Sequence, residues 1–305
     1  MIEAMAQDYP VRLLCSVVDV NPSSYYYVPQ GKDDLSLLSL IEGVLVRFPT
    51  YGYRRVTAQL RREGCRANHK RVRRVMREND LAVRVRKRPK TTDSRHNYGR
   101  YPNLVQDLTI TRPDEVWCSD ITYIRLRREF VYLAILIDIF TRGLRGWNLS
   151  QRLDTELALT ALERALAKGT PQIHHSDHGV QYAAQGYVER LEGLGTQISM
   201  AAKGKATENA HAERVIRTIK EEEVYLADYV DFGDAYTSIG HFIEDVYQTK
   251  RIHSALGYAT PIEFEAAYWA EQDADPRRGA DGRSSSELSS LSHAVPLSGV
   301  AVIPP

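Results

Sequence analysis

One stretch limits the architecture more than any other. Residues 130–140, FVYLAILIDIF, are apolar at almost every position, and only Asp138 interrupts them. A half-solvated strand would alternate polar with apolar residues, and an amphipathic helix would repeat every three to four. A near-continuous run fits a strand covered on both faces. The run is too short to span a bilayer, so no membrane association is expected. Strands are predicted on either side of it, at Val116–Ile124 and at Leu144–Leu149, the latter after a turn at Thr141-Arg142-Gly143. A helix over Thr155–Lys168 follows, capped near Asp154 and stopped by Gly169. Next come a strand (Ile173–Ser176), a helix (about Ala184–Leu194), a strand (Thr196–Met200) and a long helix from Asn209. This order of three strands, helix, strand, helix, strand, helix defines an α/β unit with a mixed sheet. Further helices run through residues 232–249, and Thr260-Pro261-Ile262-Glu263 is a capping box that opens another.

The first hundred residues read differently. A helix is expected over Val11–Val20, then a turn at Asn21-Pro22 and the aromatic cluster Tyr25-Tyr26-Tyr27. A second helix covers residues 34–47, with Leu35, Leu38, Ile41 and Leu45 as its apolar stripe. Arg54–Arg62, ended by Gly64, and His69–Asn79, capped by Asn68, form a short helical pair with an arginine-rich second member. That pairing fits a helix-turn-helix. Residues 54–100 hold 17 Lys and Arg against 4 Asp and Glu, although the whole chain carries a net charge of only +1. A basic block on a near-neutral body is the pattern of a polyanion-gripping module. Arg71, Arg73, Arg74 and Arg77 are its candidate DNA contacts. Residues 84–103 lack apolar periodicity and read as a basic linker, and the Ser- and Asp-rich stretch from 271 reads as disordered.

Three acids carry the chemistry: Asp120 in WCSDITYI, Asp177 in HHSDHG and Glu213 in NAHAERVIRTIK. Asp120 sits mid-strand, where Asp is rare and a buried acid needs a partner. Asp177 stands at a strand end, and Glu213 lies beside the helical stripe Ala212, Val215, Ile216 and Ile219. Arg217 and Lys220 share its face. If the three converged they would repel one another unless a cation sat between them. Oxygen ligands without Cys or His suit Mg2+ or Mn2+ bound to substrate phosphates, and so point to phosphodiester chemistry with two metal ions. Lys203 and Lys205, in a loop near this site, are candidate phosphate contacts. His174 and His175 are neighbours on a strand and face opposite sides, which argues against zinc. Cys15, Cys65 and Cys118 form no C-x-x-C pair, so a reducing cytoplasm fits.

WCSDITYI, YLAILIDIFTRGLRGW, IHHSDHGVQY, SMAAKGKATENAHAERVIRTIKEE and YQTKRIHSALGYATP together resemble the integrase-core DDE transposases of bacterial insertion sequences. More narrowly, they resemble the second-frame (OrfB-type) product of the two-frame group. PTYGYRRVTAQLRREG and KRVRRVMRENDL resemble the helix-turn-helix of the same proteins. The likeness implies a ribonuclease-H-like integrase core, a mixed five-stranded sheet with helices, preceded by an all-α helix-turn-helix region. The expected division is 1–83 for the DNA-binding helices, 84–111 for the linker, 112–270 for the catalytic core and 271–305 for the tail. The resemblance makes Asp120, Asp177 and Glu213 the catalytic ligands of two Mg2+ ions, with Mn2+ as substitute. The implied reaction is strand cleavage and strand transfer at terminal inverted repeats. Its partners would be double-stranded DNA at those repeats and at the target, further copies of the chain on DNA, and a first-frame protein. A nucleoid-associated, cytoplasmic location follows. Arg217 and Lys220 join the candidate DNA contacts. Gln248 departs from the family, which usually has Asn there, and Glu208 stands in place of Asp. Two other readings of the residues remain: a catalytically decayed DNA-binding regulator, and a ribonuclease-H-type nuclease.

Overall fold

The computed structural model describes residues 2–26, 34–81, 101–127, 129–201 and 209–274. Most of the basic linker, the loop bearing Lys203 and Lys205, and the tail from 275 lie outside the described residues.

Short helices α1 (Ile2–Met5), α2 (Val11–Val17) and α3 (Pro22–Tyr25) come first. Asn21-Pro22 does not make the expected turn. Asn21 accepts from the Ser23 N–H and caps α3, with Pro22 as its first residue. Helices α4 (Leu35–Arg47), α5 (Tyr53–Arg62) and α6 (His69–Glu78) form a bundle around Tyr51 and Phe48, whose rings stack at 4.6 Å. Gly64 ends α5 at a φ of 88°, a conformation that suits glycine, and Asn68 caps α6 through the Lys70 N–H. The buried stripe of α4 is Leu37, Ile41 and Val44, while Leu35 is 75% exposed. The sequence of α4 is apolar nearly all round, so periodicity alone does not fix which face turns inward.

Strands β1 (Val116–Arg125), β2 (Phe130–Asp138) and β3 (Leu144–Ser150) form an antiparallel meander. After α7 (Thr155–Leu166), β4 (Ile173–Ser176) lies parallel to β1. After α8 (Gln185–Glu192), β5 (Gln197–Met200) lies parallel to β4. The resulting order, β3-β2-β1-β4-β5, is that of the ribonuclease-H-like sheet. As the apolar run requires, β2 is buried on both faces. Leu136 and Ala134 meet α7 and α8 on one side. Leu133, Ile135 and Ile137 meet α9 (Ala210–Ile219) and α10 (Phe232–His241) on the other. A Cβ at Gly146 would lie 2.1 Å from the Ala161 carbonyl oxygen, so α7 rests on β3 at a separation that excludes any other residue.

Helix α9 runs on into a π-helical stretch, Lys220–Val224, and α10 into another, Phe242–Lys250. Gln248 grips the edge of β3. Its Oε1 accepts from the Leu144 N–H at 3.1 Å and its Nε2 donates to the Leu144 carbonyl at 2.8 Å. The last helix, α11 (Pro261–Ala274), opens with the reciprocal Thr260–Glu263 bonds of a capping box. It continues four residues past the expected limit at 270.

The bundle is joined to the core. Glu222, in the extension of α9, pairs with Arg251 at 2.7 Å and with Arg55 of α5 at 2.9 Å. The Tyr51 hydroxyl accepts from the Ile252 N–H at 3.0 Å, and Ile252 is buried in the bundle's own apolar cluster.

Two histidines, His174 buried and His253 half-buried, make this fold acid-sensitive. His174, under α8 with its Nε2 2.9 Å from the Tyr187 hydroxyl, is pushed down to about 3 by burial. His253 is likewise pushed down to about 3, by burial and then by Arg251. The unfolded chain binds these protons near pH 6.5 and the folded chain does not, so stability falls as pH drops below 6.5. Between pH 6.5 and 4.5 each histidine should contribute a slope approaching about 1.4 kcal/mol per pH unit. Urea unfolding across that window checks this, and His174→Gln should flatten the slope by about one histidine's share.

Candidate active site

Asp120 leaves β1 on the α9 side with Cys118 and Thr122, as strand alternation requires. The parallel register pairs Cys118 with His175, which puts Asp177, just past the end of β4, level with Asp120. The Gly179 N–H fixes Asp177 by donating to its Oδ1 at 2.9 Å, the turn expected of Asp-x-Gly. The apolar stripe Ala212, Val215, Ile216 and Ile219 docks α9 on the sheet, and Glu213 stands in its first turn, exposed. Among the described residues Glu213 makes no ion pair with Arg217.

Burial first, then the Asp177 charge, push Asp120 up to about 8, and Glu213 adds to the effect. The Ile121 N–H and Lys220 oppose it. Burial raises Asp177 too, against the Gly179 N–H and His178. Lys220 reaches across from the first residue beyond α9, donates to Thr122 Oγ1 at 2.6 Å and lies 5.0 Å from the Tyr123 ring centroid. The three acids therefore share one field. They are not drawn onto a single point: among the described residues no group of three His, Cys, Asp or Glu is spaced to hold a metal ion. The donor set nevertheless fits a hard cation. All three groups are carboxylates, Asp120 is an anion held unfavourably, and among the described residues the buried Asn209 Oδ1 at the start of α9 lacks a partner. The histidines do not compete. His174 bonds Tyr187 on one face of β4, and His175 lies 2.9 Å from Ser199 Oγ on the other.

The arginines of α6 divide into two sets. Arg71 and Arg74 pair with Asp34 at 2.6 and 2.5 Å, and Arg74 also pairs with Glu78. Arg73 lies over the Tyr53 ring, and Arg77 is exposed. With Lys70, they form the outward stripe at i, i+3, i+7. Replacing Lys70, Arg73 and Arg77 by Ala should weaken duplex binding roughly 30-fold or more and flatten its salt dependence by about three units. Replacing Arg71 and Arg74 should chiefly lower the melting temperature. Salt-titrated binding and thermal melts distinguish the two sets. Arg217 is exposed on α9.

Sequence reasoning overlooked Asp138, Arg145 and Glu222. Asp138 is fully buried, accepts from the Asp114 and Thr141 N–H groups, and faces Arg145 at 3.5 Å. Arg145 also pairs with Asp114 and Glu265, tying β3 to α11. No local pattern signals pairs so far apart in the chain.

A sheet of this order, with acids level on adjacent strands behind a helical bundle, defines an integrase-type core joined to a DNA-binding module. Residues 110–206 and 194–261 each match a family described as integrase core domain, and residues 32–89 match an HTH-like domain. The chain is 30% identical over 285 residues to the transposase for insertion sequence element IS629 of Shigella sonnei, covering 88% of this chain and 96% of that one. It is 35% identical over 228 residues to the IS904 transposase of Lactococcus lactis, covering 70% and 87%. Among solved structures, the HTLV-2 integrase catalytic core in complex with magnesium matches 50% of this chain and 97% of its own, at 16% identity and a TM-score of 0.43. The chain belongs to the insertion-sequence transposases with an integrase core, a family of polynucleotidyl transferases. No helix among the described residues is long and apolar enough to cross a membrane.

Proposed function

We propose that Asp120, Asp177 and Glu213 are the catalytic acids of this transposase and the ligands of two Mg2+ ions, for which Mn2+ can substitute. They act in cleaving a strand at the element's terminal inverted repeats and joining its 3′ end to target DNA. The observation that carries this reading is Asp120: half-buried, level with Asp177, and raised first by desolvation and then by the charges of both other acids. Such cations supply charge neutralisation and oxygen activation at a phosphodiester.

The remaining work falls to the chain. The rigid β1 and the Gly179 N–H hold Asp120 and Asp177 in fixed orientations. Glu213, exposed in the first turn of α9, is the third carboxylate that would help hold the cations. Lys220, held by Thr122, places a positive charge beside Asp120 and limits its repulsion before substrate arrives. The outward face of α6 grips duplex DNA, and copies of the chain assemble on it together with a first-frame partner.

The test is nicking of a duplex carrying the element's terminal repeat in Mg2+. Wild type should cut and Asp177→Asn should not. Equal cutting by both would remove the three acids from the mechanism, and inactivity of both, with binding retained, would favour a decayed regulator.

A further inference from the structure

Arg142 occupies the turn between β2 and β3 with a φ of 60°, in the left-handed region, and its carbonyl accepts from the Tyr247 hydroxyl at 3.0 Å. Its half-buried guanidinium donates to His211 Nδ1, at the start of α9. No carboxylate among the described residues pairs with it. Asp138, the acid whose charge reaches it, is already engaged by Asp114, Thr141 and Arg145. Arg214 sits one turn along α9 from His211, and its charge is felt by both Arg142 and His211. A partly buried cation without a paired counter-charge is unfavourable, and among the described residues no carboxylate pairs with Arg142, His211 or Arg214.

The donors converge. His211 Nδ1 accepts from Arg142, so the histidine proton lies on Nε2, which becomes a further donor. Asn209 does not cap the N-terminus of α9, because it turns its Nδ2 to the Ser119 carbonyl at 3.0 Å, and among the described residues no other side chain caps it. Helix geometry separates two flanks. Glu213, Arg217 and Lys220 leave α9 on one side of the buried stripe, and His211 and Arg214 leave it on the other.

We propose that Arg142, His211 and Arg214 form a seat for a DNA backbone phosphate on the flank of α9 away from Glu213. A phosphate there gives the Arg142 guanidinium its missing anion and accepts charge-assisted hydrogen bonds from both arginines. That the phosphate belongs to DNA rests on the transposase reading. The helix that presents the seat also carries Glu213, so a strand gripped here passes over the end of α9 toward the acids.

The test uses the full chain in EDTA, so that no cleavage is needed, with a fluorescently labelled mixed-sequence duplex over a salt series. Arg142→Gln and Arg214→Gln should each weaken binding about ten-fold and flatten the slope of log affinity against log salt by about one unit. Arg152→Gln, which removes an exposed arginine in the loop before α7, controls for general loss of charge. Should Arg142→Gln fail to fold in a melting curve, the exposed Arg214 carries the measurement. Losses no greater than that of Arg152→Gln overturn the seat. So does a result in which inorganic phosphate raises the wild-type melting temperature while both variants bind duplex normally. A wild type that binds no duplex at all would instead count against the transposase reading.

Discussion

Asp120→Asn should abolish strand cleavage and at the same time make the metal-free protein more stable. The two effects share a cause. Asp120 is surrounded closely by protein and feels the charges of Asp177 and Glu213, so burial and repulsion together raise its pKa to about 8. In the unfolded chain the same carboxyl titrates near 4. Between those values the folded form binds the extra proton, so its stability declines as pH rises through that window. Asn removes the acid and with it the decline. The variant's advantage should be absent near pH 4 and complete above pH 8, where about 1–3 kcal/mol is expected once partial solvent screening is allowed for. Cleavage should fall roughly a thousand-fold or more, since loss of even an outer-shell partner of a metal ligand costs about 10–100-fold. Added Mg2+ should raise the wild-type melting temperature and leave that of the variant nearly unchanged. Paired melts at low and high pH, with and without Mg2+, and one nicking assay check all of this. A variant that cuts at the wild-type rate, or is less stable than wild type above pH 8, would show that Asp120 is an ordinary structural acid.

Asp138 shows why such a distinction is needed. Both aspartates lie in strands, and neither composition nor spacing separates them. The structure does so by partners: Asp138 is satisfied by two N–H groups, a hydroxyl and Arg145, whereas Asp120 has one N–H and the field of two other acids. The sheet itself was legible because its signals are local. The alternation around Asp120, the apolar β2, the Asp-x-Gly turn after β4 and the Thr260 capping box each fix an element within a few residues. What depended on tertiary partners was not legible. The phase of α4 is set by packing against α5 and α6. Arg71 and Arg74 read as DNA contacts on a helical wheel, and their pairing with Asp34, 37 and 40 residues earlier, is not visible there. The open spacing of the three acids is equally a matter of how α9 docks, which no motif encodes.

Glu222→Ala should be the most damaging single change outside the acids. Glu222 and Arg251 are each only 10% exposed in their side chains, and Arg55 is 26% exposed. Burial works to raise the Glu222 pKa, but Arg251 and Arg55 outweigh it and hold the carboxylate below its ordinary range. The stabilisation is therefore present above about pH 4.5 and is lost as pH falls through the lower folded value. Removing the carboxylate strands two arginines, one of them buried, and a loss of about 3–5 kcal/mol is expected at neutral pH. A shape-matched apolar exchange, Glu222→Leu with Arg251→Met, should cost less than Glu222→Ala alone, because no charge on Arg251 is then left buried. Denaturant unfolding of the three proteins measures both statements. The position gives the result a second meaning. Glu222 lies nine residues beyond Glu213 on one continuous helical path, and it holds α5 of the DNA-binding bundle against that path. At a temperature where Glu222→Ala stays folded, duplex binding should persist while cleavage falls, because the bundle still grips DNA but no longer holds it in register with the acids. Cleavage falling only in proportion to the unfolded fraction would reduce Glu222 to a stabilising residue.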